Sequence, residues 1–130
     1  MATVDPDVRA LAQGPNFAAF TVRLASGAAM THMMWVDADD EHVLINTEVH
    51  RTKFRAVERD PRVTVMIWDR EDPYSYIEVR GRVVRTTRGP EARSHIDALA
   101  RKYLGRDYDA ARIRSERVIL RIAPEVQHRH

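Results

Sequence analysis

The sequence predicts a mainly β fold, an antiparallel barrel of about six strands accompanied by two or three small helices. Three observations carry that reading. Short stretches such as FAAFTVRL, RVTVMIW and RVILRI alternate apolar and polar residues with the period of a half-buried strand. Turn chemistry separates them at close spacing, with Ala25-Ser26-Gly27, Asp37 to Glu41 and Asp69 to Pro73 each breaking the pattern. Helical spacing is confined to brief segments bounded by proline and glycine. The 130 residues suffice for one domain with its own core and not for a second catalytic domain.

A short helix runs from Asp5 or Pro6 to Gln13 and stops at Gly14-Pro15. Phe17 to Leu24 is the first strand, with Phe20, Val22 and Leu24 on one face, and a hairpin leads to the second, Ala29 to Val36. After the polar turn at Asp37 to Glu41, the third strand, His42 to Thr47, places Val43 and Ile45 on one face and Leu44 and Asn46 on the other. Thr52 to Arg59 has helical spacing through Phe54 and Val57 and ends where Asp60-Pro61 forbids continuation. Arg62 to Trp68 is the fourth strand. Tyr74 to Thr87 forms a long strand or bent pair in which Gly81 marks a bulge or a close backbone approach. Pro90 to Leu104 is the strongest helix, with proline in its first turn, Ala92, Ile96, Leu99 and Tyr103 in register, and Gly105 at its end. Arg106 to Glu116 reads as loop and Arg117 to Ile122, reaching residue 123, as the last strand. The terminal His128-Arg129-His130 reads as a frayed end.

Composition narrows function. The absence of cysteine excludes disulfides, thiolate metal sites and cysteine nucleophiles, and suits a reducing, cytoplasmic location. The N-terminus MATVDPDVRA lacks the apolar core of a signal peptide, and no apolar run has the length to span a bilayer. A formal charge of +2 with interspersed signs suits a small anionic ligand ahead of a long nucleic acid, and no membrane partner is expected. The histidines lack metal-ligand spacing, and the acidic turn Asp37 to Glu41 lacks that of a calcium loop, so no metal is expected.

The most informative stretch is NTEVHRTKFRAVERDPRVTV, Asn46 to Val65. It sets Arg51, Lys53 and Arg55 at alternate positions between apolar segments, just before a helix. A planar guanidinium fork, a mobile ammonium and free helix-start amides can together hold a phosphate. A solvated basic loop is the alternative that the residues alone leave open.

The run NT-x-x-x-R-x-K, followed by RDPRV, DPYSYIEVRGRV and RKYLGRDYD before RVILRI, resembles the pyridoxamine 5′-phosphate oxidase-like split barrels, from Phe17 to Pro124. Within them it is most similar to the actinobacterial branch that uses the deazaflavin coenzyme F420. That resemblance implies a homodimeric split barrel of six to seven strands with the cofactor in a groove at the dimer interface. The phosphate would be held by Arg51, Lys53 and Arg55, with Asn46 and Thr47 donating to it or capping the turn. The flat ring would lie along the second strand near Met30 to Met34. Alternation sends Met30, His32 and Met34 to one face and Thr31, Met33 and Trp35 to the other; only one set is expected to line the site, and Thr31 and Met33 are favoured. His32 is a candidate proton donor or a structural histidine. Tyr74 and Tyr76 would reach a ring across the dimer or staple the barrel mouth. Two departures stand out: Phe54-Arg55-Ala56 occupies the stretch where relatives carry asparagine, and the second strand reads THMMW.

The implied activity is a coenzyme F420-dependent oxidoreductase passing hydride to an unsaturated small molecule. The rivals are an FMN-dependent oxidase or reductase on the same fold and a non-catalytic carrier of either cofactor. A nucleic-acid-binding barrel would use Tyr74, Tyr76 and Arg80. Arg80, Arg82, Arg85 and Arg88 could also hold an acidic tail or simply pair with surface carboxylates.

Overall fold

A computed structural model describes residues 3–130. Its elements, in chain order, are α1 (Pro6–Gln13), β1 (Phe17–Arg23), β2 (Ala29–Trp35), β3 (Asp37–Ala38), β4 (Val43–Glu48), α2 (Thr52–Arg59), β5 (Arg62–Asp69), β6 (Asp72–Arg88), α3 (Pro90–Leu104) and β7 (Arg117–Arg129). The seven strands form one antiparallel sheet in the order β2-β1-β5-β6-β7-β4-β3. Its two edge strands, β2 and β3, are consecutive in the chain and joined by Val36 alone, so the sheet must curl until its edges meet. The curl is not sealed by a hydrogen-bonded ladder between those edges. The sheet is thus a split barrel of seven strands, as the family resemblance implies, with a seam running between β2 and β4.

The interior is filled by one face of each long strand. Phe20, Val22, Ile45, Val65, Ile67, Val79, Leu120 and Ile122 are all buried in one cluster. Helix α2 contributes Phe54, Ala56 and Val57 to that cluster, and α1 contributes Val8 and Ala12. Strand β4 is buried on both faces because α3 covers its outer side, where Leu44, Ala92 and Ile119 form a second small cluster.

Several boundaries move, each for a local reason. Asp37 and Ala38 are not turn but a two-residue strand paired with Leu44 and Val43, which terminates the sheet. The third strand begins at Val43 and runs one residue further, to Glu48, because Glu48 continues the ladder opposite Arg117. The break at Asp69 to Pro73 contracts to a tight turn at residues 70–71, since Asp69 already pairs with Asp72. The loop from Arg106 to Glu116 contains a single 3₁₀ turn, Ala110–Arg112, capped by the Asp109 carboxylate. The last strand does not stop at Ile122 or residue 123. It continues to Arg129 by pairing with β6, so His128 is strand rather than frayed end, and His130 just beyond it donates its amide to the Tyr76 carbonyl at 3.0 Å and stacks its ring on Tyr76 at 4.5 Å.

Strand β6 is one continuous strand with register shifts at Arg80/Gly81 and Val83/Arg85. Gly81 serves both readings offered for it, because it sits at the bulge and a Cβ there would lie 2.1 Å from the Ala123 carbonyl oxygen. Backbone cannot retreat from such a clash as a side chain can, so Gly81→Ala should destabilise the fold by about 2–4 kcal/mol in denaturant unfolding.

The corner at Val36 is pinned by α3. Tyr103 accepts from the Val36 amide at 3.2 Å and donates to the Asn16 carbonyl, while Lys102 donates to the carbonyls of Val36 at 2.6 Å and Ala12 at 3.0 Å. Burial depresses Lys102 to about 8, against the pull of Asp37. Burial likewise pushes Tyr103 up to about 12, although its hydrogen bond to Val36 and the charge of Arg70 oppose the rise. From about pH 8 to 10 the unfolded chain retains a Lys102 proton that the folded chain has lost, so this site makes stability rise with pH; above about 10 the folded chain retains the Tyr103 proton and the trend reverses. Unfolding followed across that range should show both slopes, with Lys102→Met flattening the rise and Tyr103→Phe abolishing the fall.

Candidate functional site

The seam between β2 and β4 opens into a cavity of about 510 Å³ lined by Thr31, His32, Met33, Met34, Asn46, Thr47, Arg51, Lys53, Tyr108 and Arg117. As an edge strand, β2 leaves one row of backbone donors and acceptors unpaired along this opening. That placement corrects the expectation that only one alternation set of β2 can line the site. Met34 and Met30 turn inward against the core while Thr31 and Met33 turn outward, yet a cavity at a strand edge touches residues of both sets. Met33 is 60% exposed. His32 is exposed at the cavity lip, opposite Phe20 in the ladder.

The cations converge where β4 hands over to α2. Arg51 is the N-cap residue of α2 and Lys53 lies in its first turn, where helix geometry leaves amides without intrahelical acceptors. Lys53 is only 8% exposed, and burial, followed by repulsion from Arg51 and Arg117, holds its ammonium below the usual lysine range. Arg55, one turn along the same helix, points away and donates to the His50 carbonyl at 2.8 Å. The expected trio of Arg51, Lys53 and Arg55 thus becomes Arg51 and Lys53 with a third cation from elsewhere, Arg117, the first residue of β7.

Arg117 was not recognisable as a site residue, because in sequence it only opens an apolar strand. In the fold its Nε donates to Asn46 Oδ1 at 2.9 Å and its Nη1 to Glu48 Oε2 at 3.2 Å, and the Tyr108 ring lies against the guanidinium at 5.2 Å. That leaves the Nη2 donors for the cavity and for Tyr108. Burial lowers the Arg117 pKa, and Tyr108 and Glu48 counteract it. Burial would raise the Glu48 carboxyl, but the amides of Ser115 and Arg114, at 2.8 and 2.7 Å, and the Arg117 charge outweigh it and keep Glu48 below its ordinary value. Glu48 is thereby ionised under Arg117 and ties the loop before β7 to the end of β4.

Asn46 is committed to the protein. Its Nδ2 donates to the Ala92 carbonyl at 3.0 Å and lies 3.1 Å from His95 Nδ1, while its Oδ1 holds Arg117. Thr47 is buried beside it on the cavity wall. Next to the charged end lies an apolar recess of about 230 Å³ to which Trp35 and Ile96 contribute, with Met33, Met34, Asn46, Tyr108 and Arg117 shared between the two. Trp35 is stacked on Tyr103 at 5.0 Å and meets Tyr108 edge-on.

Within the chain, Tyr74 and Tyr76 lie away from this cavity. Tyr74 is 87% exposed near the β5–β6 turn, and Tyr76 pairs with Trp68 and borders a different, smaller hollow. The strand arginines mostly pair on the surface, Arg80 with Glu78, Arg82 with Glu125 and Arg88 with Glu116. Among the described residues no group of three or more histidine or carboxylate side chains is placed to hold a metal, and no helix is long and apolar enough to cross a membrane.

The sequence profile of pyridoxamine 5′-phosphate oxidase matches residues 2–129. No curated protein sequence matches the chain. Among solved structures, an F420 reductase superposes with TM-score 0.82 at 24% identity, over 95% of this chain and 98% of that one. A conserved hypothetical protein of Mycobacterium tuberculosis gives 0.73 at 18% identity, over 97% of this chain and 83% of that one. General Stress Protein 26 of Bacillus anthracis gives 0.68 at 18%, over 92% and 88%. At these identities the likeness is one of fold.

Removing Glu48 would strand a buried guanidinium, so Glu48→Ala should cost about 3 kcal/mol in chemical denaturation, well beyond the cost of an exposed carboxylate such as Glu58.

Proposed function

The chain belongs to the pyridoxamine 5′-phosphate oxidase family, and from that membership we propose that it is an oxidoreductase that binds a phosphorylated flavin-type cofactor in the seam, coenzyme F420 by preference. The observation that carries the reading is the convergence of Arg51, Lys53 and Arg117 on one open cavity that continues into a recess of methionine and aromatic side chains. Three cations fit an anionic phosphate, and the recess fits a flat ring, with Met33, Met34 and Trp35 as its wall. The likeness in fold to an F420 reductase supports the deazaflavin. FMN is the second reading, since its phosphate makes the same demand on the cradle.

Bound there, a deazaflavin would supply hydride transfer to an unsaturated acceptor. The chain's own part is to fix the phosphate with Arg51, Lys53 and Arg117 and to offer the unpaired edge of β2 to the ring's polar rim. His32, which lines the cavity, would hold a proton for the reduced acceptor. Asn46 acts through Arg117 rather than on the ligand.

A homodimer is part of the proposal. The outward face of β2, β1, β5 and β6 carries Trp35, Phe17, Trp68 and Tyr76 side by side, with Met33, Ala19 and Met66 in the neighbouring row. This half-buried row, which Tyr103 and His130 cover only in part, suits a second copy packed by two-fold symmetry, which would also roof the open cavity. Tyr74 and Tyr76 of each copy would then belong to the interface.

Fluorescence titration with coenzyme F420 and separately with FMN tests the reading. Micromolar or tighter binding is expected, weakened roughly ten- to a hundredfold by Lys53→Ala. Because burial depresses the free Lys53 ammonium and a bound phosphate would raise it, binding should take up a proton. Affinity should therefore fall as pH rises through the lowered titration range of Lys53, and Lys53→Arg should move that fall to higher pH. Unchanged affinity in Lys53→Ala would refute the cradle.

A further inference from the structure

Helix α3 carries no residue of the cation cluster, yet a continuous hydrogen-bonded chain links it to that cluster. Asp37 Oδ2 lies 3.0 Å from His95 Nε2, His95 Nδ1 lies 3.1 Å from Asn46 Nδ2, and Asn46 Oδ1 accepts from Arg117 Nε at 2.9 Å. The direction of every bond is determined. Asn46 must present its Nδ2 to the Ala92 carbonyl and its Oδ1 to Arg117, so its amide has one orientation. An Nδ2 donor then requires His95 Nδ1 to accept, which puts the ring proton on Nε2 and aims it at the Asp37 carboxylate. Asp37 is held below its ordinary carboxylate range: burial opposes this, but the His95 hydrogen bond, the Ala38 amide and the Lys102 charge prevail. Its anionic state is what the His95 donor needs.

We infer that Asp37, His95 and Asn46 are positioning residues that aim the Arg117 guanidinium into the anion cradle, so that recognition of the ligand's phosphate depends on the docking of α3. This inference rests on the cradle proposed above. Arg117 sits at the start of a strand, and a guanidinium on a flexible stem has many rotamers. Clamping Nε through Asn46 and Nη1 through Glu48 leaves the Nη2 donors, shared with Tyr108, for the cavity. Asn46 is in turn held by α3 through Ala92 and His95, and His95 by Asp37 at the sheet edge. On this inference the aimed edge of Arg117 meets the ligand's phosphate, so the gain is read in the phosphate-bearing ligands.

The test compares ligands with and without the phosphate: coenzyme F420 against its ribityl deazaflavin core, and FMN against riboflavin. His95→Phe should weaken the phosphate-bearing member of the bound pair roughly five- to thirtyfold and leave the phosphate-free member unchanged. In an Arg117→Ala background, His95→Phe should have almost no further effect, because the group it aims is gone. Asp37→Asn should reproduce the pattern more weakly, which guards against a His95 variant that folds poorly. Equal weakening of both members, or effects of His95→Phe and Arg117→Ala that multiply, overturns the positioning role and leaves the cradle standing. A wild-type protein that does not distinguish phosphate-bearing from phosphate-free ligands overturns the cradle and the positioning role together.

Discussion

The corner at Val36 imposes the constraint from which the architecture follows. A seven-stranded sheet whose two edges are consecutive in the chain cannot lie flat, because a single residue separates them. Curling the sheet to meet this demand places backbone polar groups of Val36 in a buried corner without strand partners, a costly arrangement unless side chains supply the bonds. Tyr103 and Lys102 of α3 supply them, at the cost of burying a phenol and an ammonium whose titrations are displaced in opposite directions. The shape of the sheet and the anchoring of its covering helix are therefore one problem with one solution.

The same constraint creates the site. Edges brought together at a corner diverge away from it, and the divergence between β2 and β4 is the seam into which Arg51, Lys53 and Arg117 project. Cations crowded in a half-enclosed place repel and are poorly hydrated, which is why Lys53 is depressed and why Arg117 needs Glu48 beneath it. Among the described residues only one carboxylate, Glu48, pairs with these cations, so the cluster retains net positive charge facing the opening. An incompletely neutralised cluster beside an apolar recess favours a ligand with an anionic end and a flat uncharged body.

How much of this was legible in the sequence differs by kind of signal. Proline and glycine punctuation located α1, α2 and α3 correctly, since those residues act through local backbone geometry. Alternation located the long strands because each buries one face. The extension of β7 past Ile122 was hidden: Pro124 and the polar residues Glu125, Gln127 and His128 read as an ending, whereas the strand survives there on β6 alone and needs no buried face. Pro124 is tolerated because it sits at the bulge opposite Gly81, where the ladder is already interrupted. At the site, Arg51 and Lys53 were visible because they are close in sequence to one another and to a helix start. Arg117 and Tyr108 were not, since they lie far from that cluster along the chain and only the pairing of β4 with β7 brings them together.

Helix α3 joins the two halves of this account. Through Lys102 and Tyr103 near its end it secures the corner that curls the sheet, and through Ala92 and His95 near its start it reaches Asn46 and, beyond it, Arg117. Asp37 belongs to both halves, since it lies beside Lys102 and accepts from His95. A shift of α3 along the sheet would therefore disturb the corner and the cation cluster at once. Burying polar side chains under the helix ties the geometry of the cation cluster to the same contacts that hold the fold shut.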